Sequence, residues 1–313
     1  MDFPIRTCCF IIVNSIFSKM RIFLEKLVTT LRMIKFEHTL FALPFAFLGA
    51  VMGAAEIGQP YSLPTLEQIV WITVAMFGAR SAAMTFNRIV DRRFDAENPR
   101  TANREIPAGK LSLGFAWGFF IVSISLFEIA AWSLNELTLI LSPVALVSIL
   151  GYSFAKRFTN FAHLILGWGL AISPTAAWIA VTGSLESVQP ILLSMVVMMW
   201  TAGFDVLYAC QDFDYDRSAG LRSIPARFGI RNSLRIAMLF HAQAFGVLII
   251  LFNALGPGWL SGVGVILVGF LLGYQHMLLK PNDLSRMNAA FFTTNAFVSV
   301  ILLLTFGGEI VLR

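Results

Sequence analysis

Charge is scarce in this sequence. Asp, Glu, Lys and Arg make up 13% of its 313 residues, about half of the roughly 25% usual for a soluble domain. That deficit excludes an ordinary soluble enzyme, and a hydrophobic share of 57% excludes a disordered chain. Cysteine is nearly absent too: Cys8, Cys9 and Cys210 are the whole complement. Two are adjacent and too strained to pair easily, so neither a disulfide framework nor a cysteine metal site is implied. No low-complexity linker divides the chain, which reads as an N-terminal interfacial segment over 1–30 and one helical domain over 31–313. What is abundant is Phe (29) and Gly (23), with a mean hydropathy of +0.76. This is the composition of an all-α bundle in a lipid bilayer, where Gly permits close helix contact.

A bilayer span needs roughly 20 mostly apolar residues. Nine segments meet that need: 38–56, 67–86, 112–133, 137–155, 162–182, 188–210, 234–254, 259–279 and 288–307. The apolar stretch 8–17 is too short, has Arg6 before it and Lys19 and Arg21 after it, and lacks a following cleavage site, so it reads as an interfacial helix. Six of the 23 cations precede the first span, six lie between spans two and three, two follow span four, five follow span six and two follow span eight. The alternate loops, near Glu56, Glu136, Glu186 and Pro257, hold none. This positive-inside pattern puts the N-terminus and the long polar loops in the cytoplasm and the C-terminus outside. The net charge of +5 is therefore a matter of topology; it does not mark a nucleic-acid binder, and the bilayer is the expected partner.

Two polar loops share a pattern. The first reads NRIVDRRFDAENPRTANREIPAG over 87–109, and the second DVLYACQDFDYDRSAGLRSIPARFG over 205–229. Asn87, Asp91 and Asp95 are four apart, as are Asp212 and Asp216, so each set occupies one helix face. Asp205 lies seven residues before Asp212, on the same face but inside an apolar span, where an unpaired charge is costly. Clustered oxygen ligands suit Mg²⁺, which shares phosphate oxygens with its substrate. A carboxylate cluster alone would repel a diphosphate; Arg92, Arg100, Arg104, Arg217 and Arg222 stand among the acids to hold the remaining oxygens. A solvated, topology-obeying loop accounts for the arginines equally well. It does not account for two acidic sets at helical spacing.

Residues 87–104 resemble the N-x-x-x-D-x-x-x-D and N-P-R-T-x-x-R signatures of the UbiA-type intramembrane prenyltransferases. Asp212 and Asp216 match that superfamily's second D-x-x-x-D, and Tyr152, Lys156 and Arg157 match its Y-x-x-x-K-R. Arg88 departs from it, standing where many members carry a second acid. The stretches 35–50 and 203–216 look most like the 4-hydroxybenzoate polyprenyltransferases and the related dihydroxynaphthoate enzymes of menaquinone synthesis. The resemblance implies an aromatic prenyltransferase of the bacterial inner membrane. Its cofactor is then Mg²⁺, bound by Asn87, Asp91, Asp95, Asp212 and Asp216, and its substrates a polyprenyl diphosphate and a hydroxylated aromatic acid. Lys156 and Arg157 join the diphosphate-binding cations.

An acceptor carboxylate needs a cation of its own. Arg32, Lys35 and His38 stand at the mouth of the first span, and Arg80 lies seven residues before Asn87 on the same face. Arg80 reads equally as an acceptor-binding group and as the ion-pair partner of Asp205. Tyr152 either shapes the acceptor site or is one more interfacial tyrosine. Asp205 is the candidate for polarising the acceptor or taking its proton. The competing class, a secondary transporter of an anionic solute, fits the spans and the repeat, but its charges would gather at the membrane midplane. Prenyl length and oligomeric state have no signature in the sequence.

Overall fold

The computed structural model describes residues 20–21, 23–34, 39–287 and 294–313, with the side chains of the first bundle helix described from residue 42. The stretch 8–17, Lys35 and His38 lie outside these residues. Among them the chain forms helices and no strand. We number the nine apolar helices α1 (Thr39–Glu56), α2 (Leu66–Val90), α3 (Leu113–Leu134), α4 (Glu136–Gly151), α5 (Ala162–Thr182), α6 (Gln189–Ala209), α7 (Ile224–Ala254), α8 (Trp259–Met277) and α9 (Thr294–Leu302, continuing through a π-helical turn to Leu312). Eight of the described helices are long and apolar enough to cross a membrane, and α1 is a shorter apolar helix beside them. The nine expected spans therefore correspond one to one to helices.

Their ends follow local chemistry. Thr65 and Gln68 form a reciprocal capping box at the start of α2. The Ser112 side chain accepts the Phe115 N–H at the start of α3, and that of Asn135 accepts the Thr138 N–H at the start of α4. Gly183, in the left-handed region at φ 68°, stops α5. Gly229 (φ 77°) sits inside α7 and sets its first turn at an angle to the rest, so α7 begins ten residues before the expected span at 234.

The most extensive helix pairs are α6–α7, α2–α3, α5–α6 and α1–α5. A central core of Phe45, Trp178, Trp200, Phe204, Leu248 and Phe306 joins α1, α5, α6, α7 and α9. Lipid tails are as apolar as these side chains, so close packing, more than water exclusion, drives the helices together. Gly167 shows how close: a Cβ there would lie 2.4 Å from the Met198 carbonyl oxygen. That approach brings the start of α5 against the end of α6, where the polar residues begin.

Candidate active site

The ends of α2, α4 and α6 and the starts of α3, α5 and α7 meet at one end of the bundle. Asp91 caps the C-terminus of α2, and Asp95 follows in the short helix Arg92–Glu97. Asp212 ends a single 3₁₀ turn after α6, and Asp216 follows in the short helix Phe213–Ser218. The two motifs thus share one local design: a long helix, a break at the first aspartate, and a short helix carrying the second. The Tyr215 hydroxyl donates to the Phe94 carbonyl at 2.9 Å and ties the short helices together.

Each aspartate has its own cation, drawn from two segments that bridge the motifs. In the N-P-R-T-x-x-R segment, Arg104 Nη1 lies 2.6 Å from Asp95 Oδ1, while Arg100 Nε donates to Asp212 Oδ1 at 2.7 Å and Nη2 donates to its other oxygen. After α4, Lys156 Nζ donates to Asp216 Oδ2 at 3.0 Å, and its neighbour Arg157 donates to Asp91 Oδ1 at 3.1 Å. Adjacent side chains on a helix diverge by about 100°, so one dipeptide reaches both motifs. Asn98 Nδ2 adds a buried bond to Asp212 Oδ1 at 3.2 Å, and Asn87 Nδ2 donates to Asp91 Oδ2 at 2.9 Å. Burial pushes the Asp91 carboxyl above its ordinary range, against the pull of its Arg157 hydrogen bond. Burial also works against the charge of Arg100, but the hydrogen bond and charge of Asp212 outweigh it and hold the guanidinium above its usual value.

Arg88 is buried with Nη1 4.0 Å from Asp95 Oδ2. Asp95 therefore lies between two arginines, and the departure from the acidic motif adds a cation to its surroundings. Asp95 Oδ2 is buried and accepts no hydrogen bond. The other expected phosphate cations are placed differently. Arg92 donates to the Ile89 carbonyl at the end of α2, Arg222 donates to the Phe158 carbonyl at 2.7 Å, and Arg217 is exposed. Arg32 is exposed on the N-terminal helix.

Deeper in the bundle, Asp205 does not pair with Arg80. His163 Nδ1 lies 2.7 Å from Asp205 Oδ2, and its Nε2 accepts the Ile224 backbone N–H at 3.3 Å. Arg80 forms no ion pair among the described residues, and its Nε is buried without a hydrogen-bond partner. Tyr152, in the 3₁₀ turn that ends α4, lies among the charges of Asp205, Asp91, Arg88 and Asp216. His163 stands outside both motifs, and Asn98 opens the N-P-R-T-x-x-R segment without a role of its own in the sequence. A histidine at the start of an apolar span is the signal for the first; the signature marks Asn98 but not its partner, which is 114 residues away.

Among the described residues, no three His, Cys, Asp or Glu side chains form a cluster that would by itself hold a metal. The donors fit a hard divalent ion in a different way. They are all-oxygen, they sit two to a motif with the motifs' short helices tied by Tyr215, and Asp95 keeps an oxygen free of hydrogen bonds. Mg²⁺ characteristically takes one or two carboxylates and completes its shell with substrate phosphate and water.

Comparison with known proteins identifies the family and the fold. The model of the UbiA prenyltransferase family matches residues 42–301. The 4-hydroxybenzoate octaprenyltransferase of Tolumonas auensis is 31% identical over 74% of this chain and 81% of its own length. The enzyme of the same name from an Enterobacter species is 28% identical over 90% of this chain and 95% of its own. A UbiA homologue from Aeropyrum pernix superposes with a TM-score of 0.77 at 33% identity, covering 85% of this chain and 95% of that one. A homologue from Archaeoglobus fulgidus, solved with DMAPP and Mg²⁺, shares the fold with a TM-score of 0.69 at 18% identity, covering 90% and 99%.

Proposed function

We propose that this chain, which belongs to the UbiA prenyltransferase family, transfers a polyprenyl group from its diphosphate to the ring of 4-hydroxybenzoate, a step of quinone biosynthesis. The two basic segments that each bridge both aspartate motifs carry this reading. A charged surface loop has no need of a cation set against each of four carboxylates. A site that must accept a metal–diphosphate complex needs both signs, within reach of each other and pre-ordered. Relatives named 4-hydroxybenzoate octaprenyltransferase support the choice of acceptor.

In this reading Asn87, Asp91, Asp95, Asp212 and Asp216 would hold Mg²⁺, which neutralises charge on the departing diphosphate. Arg100, Arg104, Lys156 and Arg157 bind the remaining oxygens, and Arg92, Arg217 and Arg222 add positive potential at the mouth. The allylic C–O bond breaks with its electron pair leaving on the diphosphate. A ring carbon of the acceptor supplies the pair for the new C–C bond, and the ring then loses one proton. Apolar walls exclude water, which would otherwise capture the allylic cation. Arg80, which pairs with no carboxylate among the described residues, binds the acceptor carboxylate, and Tyr152 and Asp205 meet the ring hydroxyl. Arg32, exposed ahead of the bundle, is a further candidate cation for the acceptor carboxylate. The site faces the cytoplasm and the C-terminus lies outside.

The test is direct. Purified protein is given labelled prenyl diphosphate, Mg²⁺, and either 4-hydroxybenzoate or a dihydroxynaphthoate. Prenylated 4-hydroxybenzoate that disappears on chelation of divalent ions is the expected outcome. Prenylation of the naphthoate alone would overturn the acceptor, and no transfer to either would overturn the function.

A further inference from the structure

His163 lies outside the diphosphate machinery, yet it makes hydrogen bonds to two other elements of the bundle. It is the second residue of α5, its side chain is fully buried, and it spans two elements. Nε2 faces the N–H of Ile224, the first residue of α7. A backbone N–H only donates, so Nε2 must be the unprotonated nitrogen. The ring proton then sits on Nδ1 and is donated to Asp205 Oδ2 at 2.7 Å. The tautomer is set by the fold. Ile224 N is one of the donors a helix start leaves unpaired, and Ser223, the helix cap, spends its own oxygen on Ala226 N.

Among the described residues, Asp205 is held by one oxygen only. No described residue donates to Oδ1, and the side chain is 16% exposed. The bonded oxygen fixes the rotation of the carboxylate, and the unbonded one is left for a second partner. We propose that His163 is a positioning residue for prenyl transfer: it holds the Asp205 carboxylate turned so that Oδ1 meets the hydroxyl of the aromatic acceptor. Ile224 makes that orientation depend on the second motif, because α7 begins eight residues after Asp216. This inference rests on the acceptor role of Asp205 given above.

The experiment compares His163→Leu and His163→Asn with the wild-type protein, using geranyl diphosphate, Mg²⁺ and 4-hydroxybenzoate. Leucine removes both hydrogen bonds at similar volume, whereas asparagine can place an N–H where Nδ1 stood but cannot cap Ile224. For His163→Leu, kcat/KM for the acceptor falls about 10- to 100-fold, the scale of one hydrogen bond to a charged group. The KM for geranyl diphosphate stays within about twofold, since the donor's contacts are elsewhere. His163→Asn recovers most of the loss. In an Asp205→Asn background, His163→Leu costs little more, because both changes remove the same interaction. If His163 only caps α7, asparagine does not rescue, both substrates suffer alike and thermal stability drops; that pattern, or a wild-type-like His163→Leu, overturns the proposal. Absence of any transfer by the wild-type protein would overturn the functional reading itself.

Discussion

Arg100 and Asp212 meet through a two-point guanidinium–carboxylate contact across 112 residues of chain, with Arg100 also 5.4 Å above the ring of Tyr208. Planar, bidentate geometry of this kind is available to arginine and not to lysine. Arg100→Lys is therefore expected to keep the charge and lose the register between the motifs. Its kcat/KM for the prenyl diphosphate should fall about tenfold or more, roughly the worth of one charged hydrogen bond, with the acceptor KM little changed. Steady-state kinetics with each substrate varied in turn checks this, and an unaltered donor constant would remove Arg100 from the diphosphate site.

Asp91 and Asp95 belong to one motif but should respond differently to loss of charge. Asp91 is 28% exposed and its partner Arg157 is 37% exposed, so Asp91→Ala leaves a solvated arginine and should cost about 1 kcal/mol or less. Asp95 is buried between Arg104 and the equally buried Arg88. Removing it strands charge in a poorly solvated place, at about 3–5 kcal/mol. Both variants should lose turnover, but Asp95→Ala should also melt well below Asp91→Ala in a thermal unfolding assay in detergent. Equal melting points would show that the Asp95 surroundings are more hydrated than their burial implies.

Arg80→Met is expected to raise the acceptor KM selectively. No carboxylate among the described residues pairs with Arg80 and its Nε is unsatisfied, so the substitution strands no partner and stability should be kept. The loss of one charge-assisted contact corresponds to about a 10- to 100-fold rise in the acceptor constant. A collapse of folding, or unchanged constants for both substrates, would take Arg80 out of the acceptor site.

Orientation has its own test. Reporters fused after Gly109 or after Gly229 should sit in the cytoplasm, since both follow loops rich in arginine. A reporter after Arg313 should sit outside. A cytoplasmic C-terminus would mean that one of the nine helices does not cross.

The spans, the two motifs and the end of the bundle where they lie are legible in the sequence, because each is written locally. Hydropathy over about 20 residues sets a span, and four-residue spacing sets a helix face. The apolar run of α7 from 234 onward is legible too, but not the turn before Gly229, which Arg231, Asn232 and Ser233 separate from that run. Only the tertiary structure decided the partners. Arg100 and Arg104 stand four apart and serve different motifs, and so do Lys156 and its neighbour Arg157. Likewise Asp205 and Arg80 each precede a motif by seven residues, an apparent pair, yet Asp205 is bonded to His163. Pairing across helices depends on how each is rotated about its axis and how near it comes to the next. Those quantities are set by contacts such as Gly167 against the Met198 carbonyl, between residues that no local pattern links.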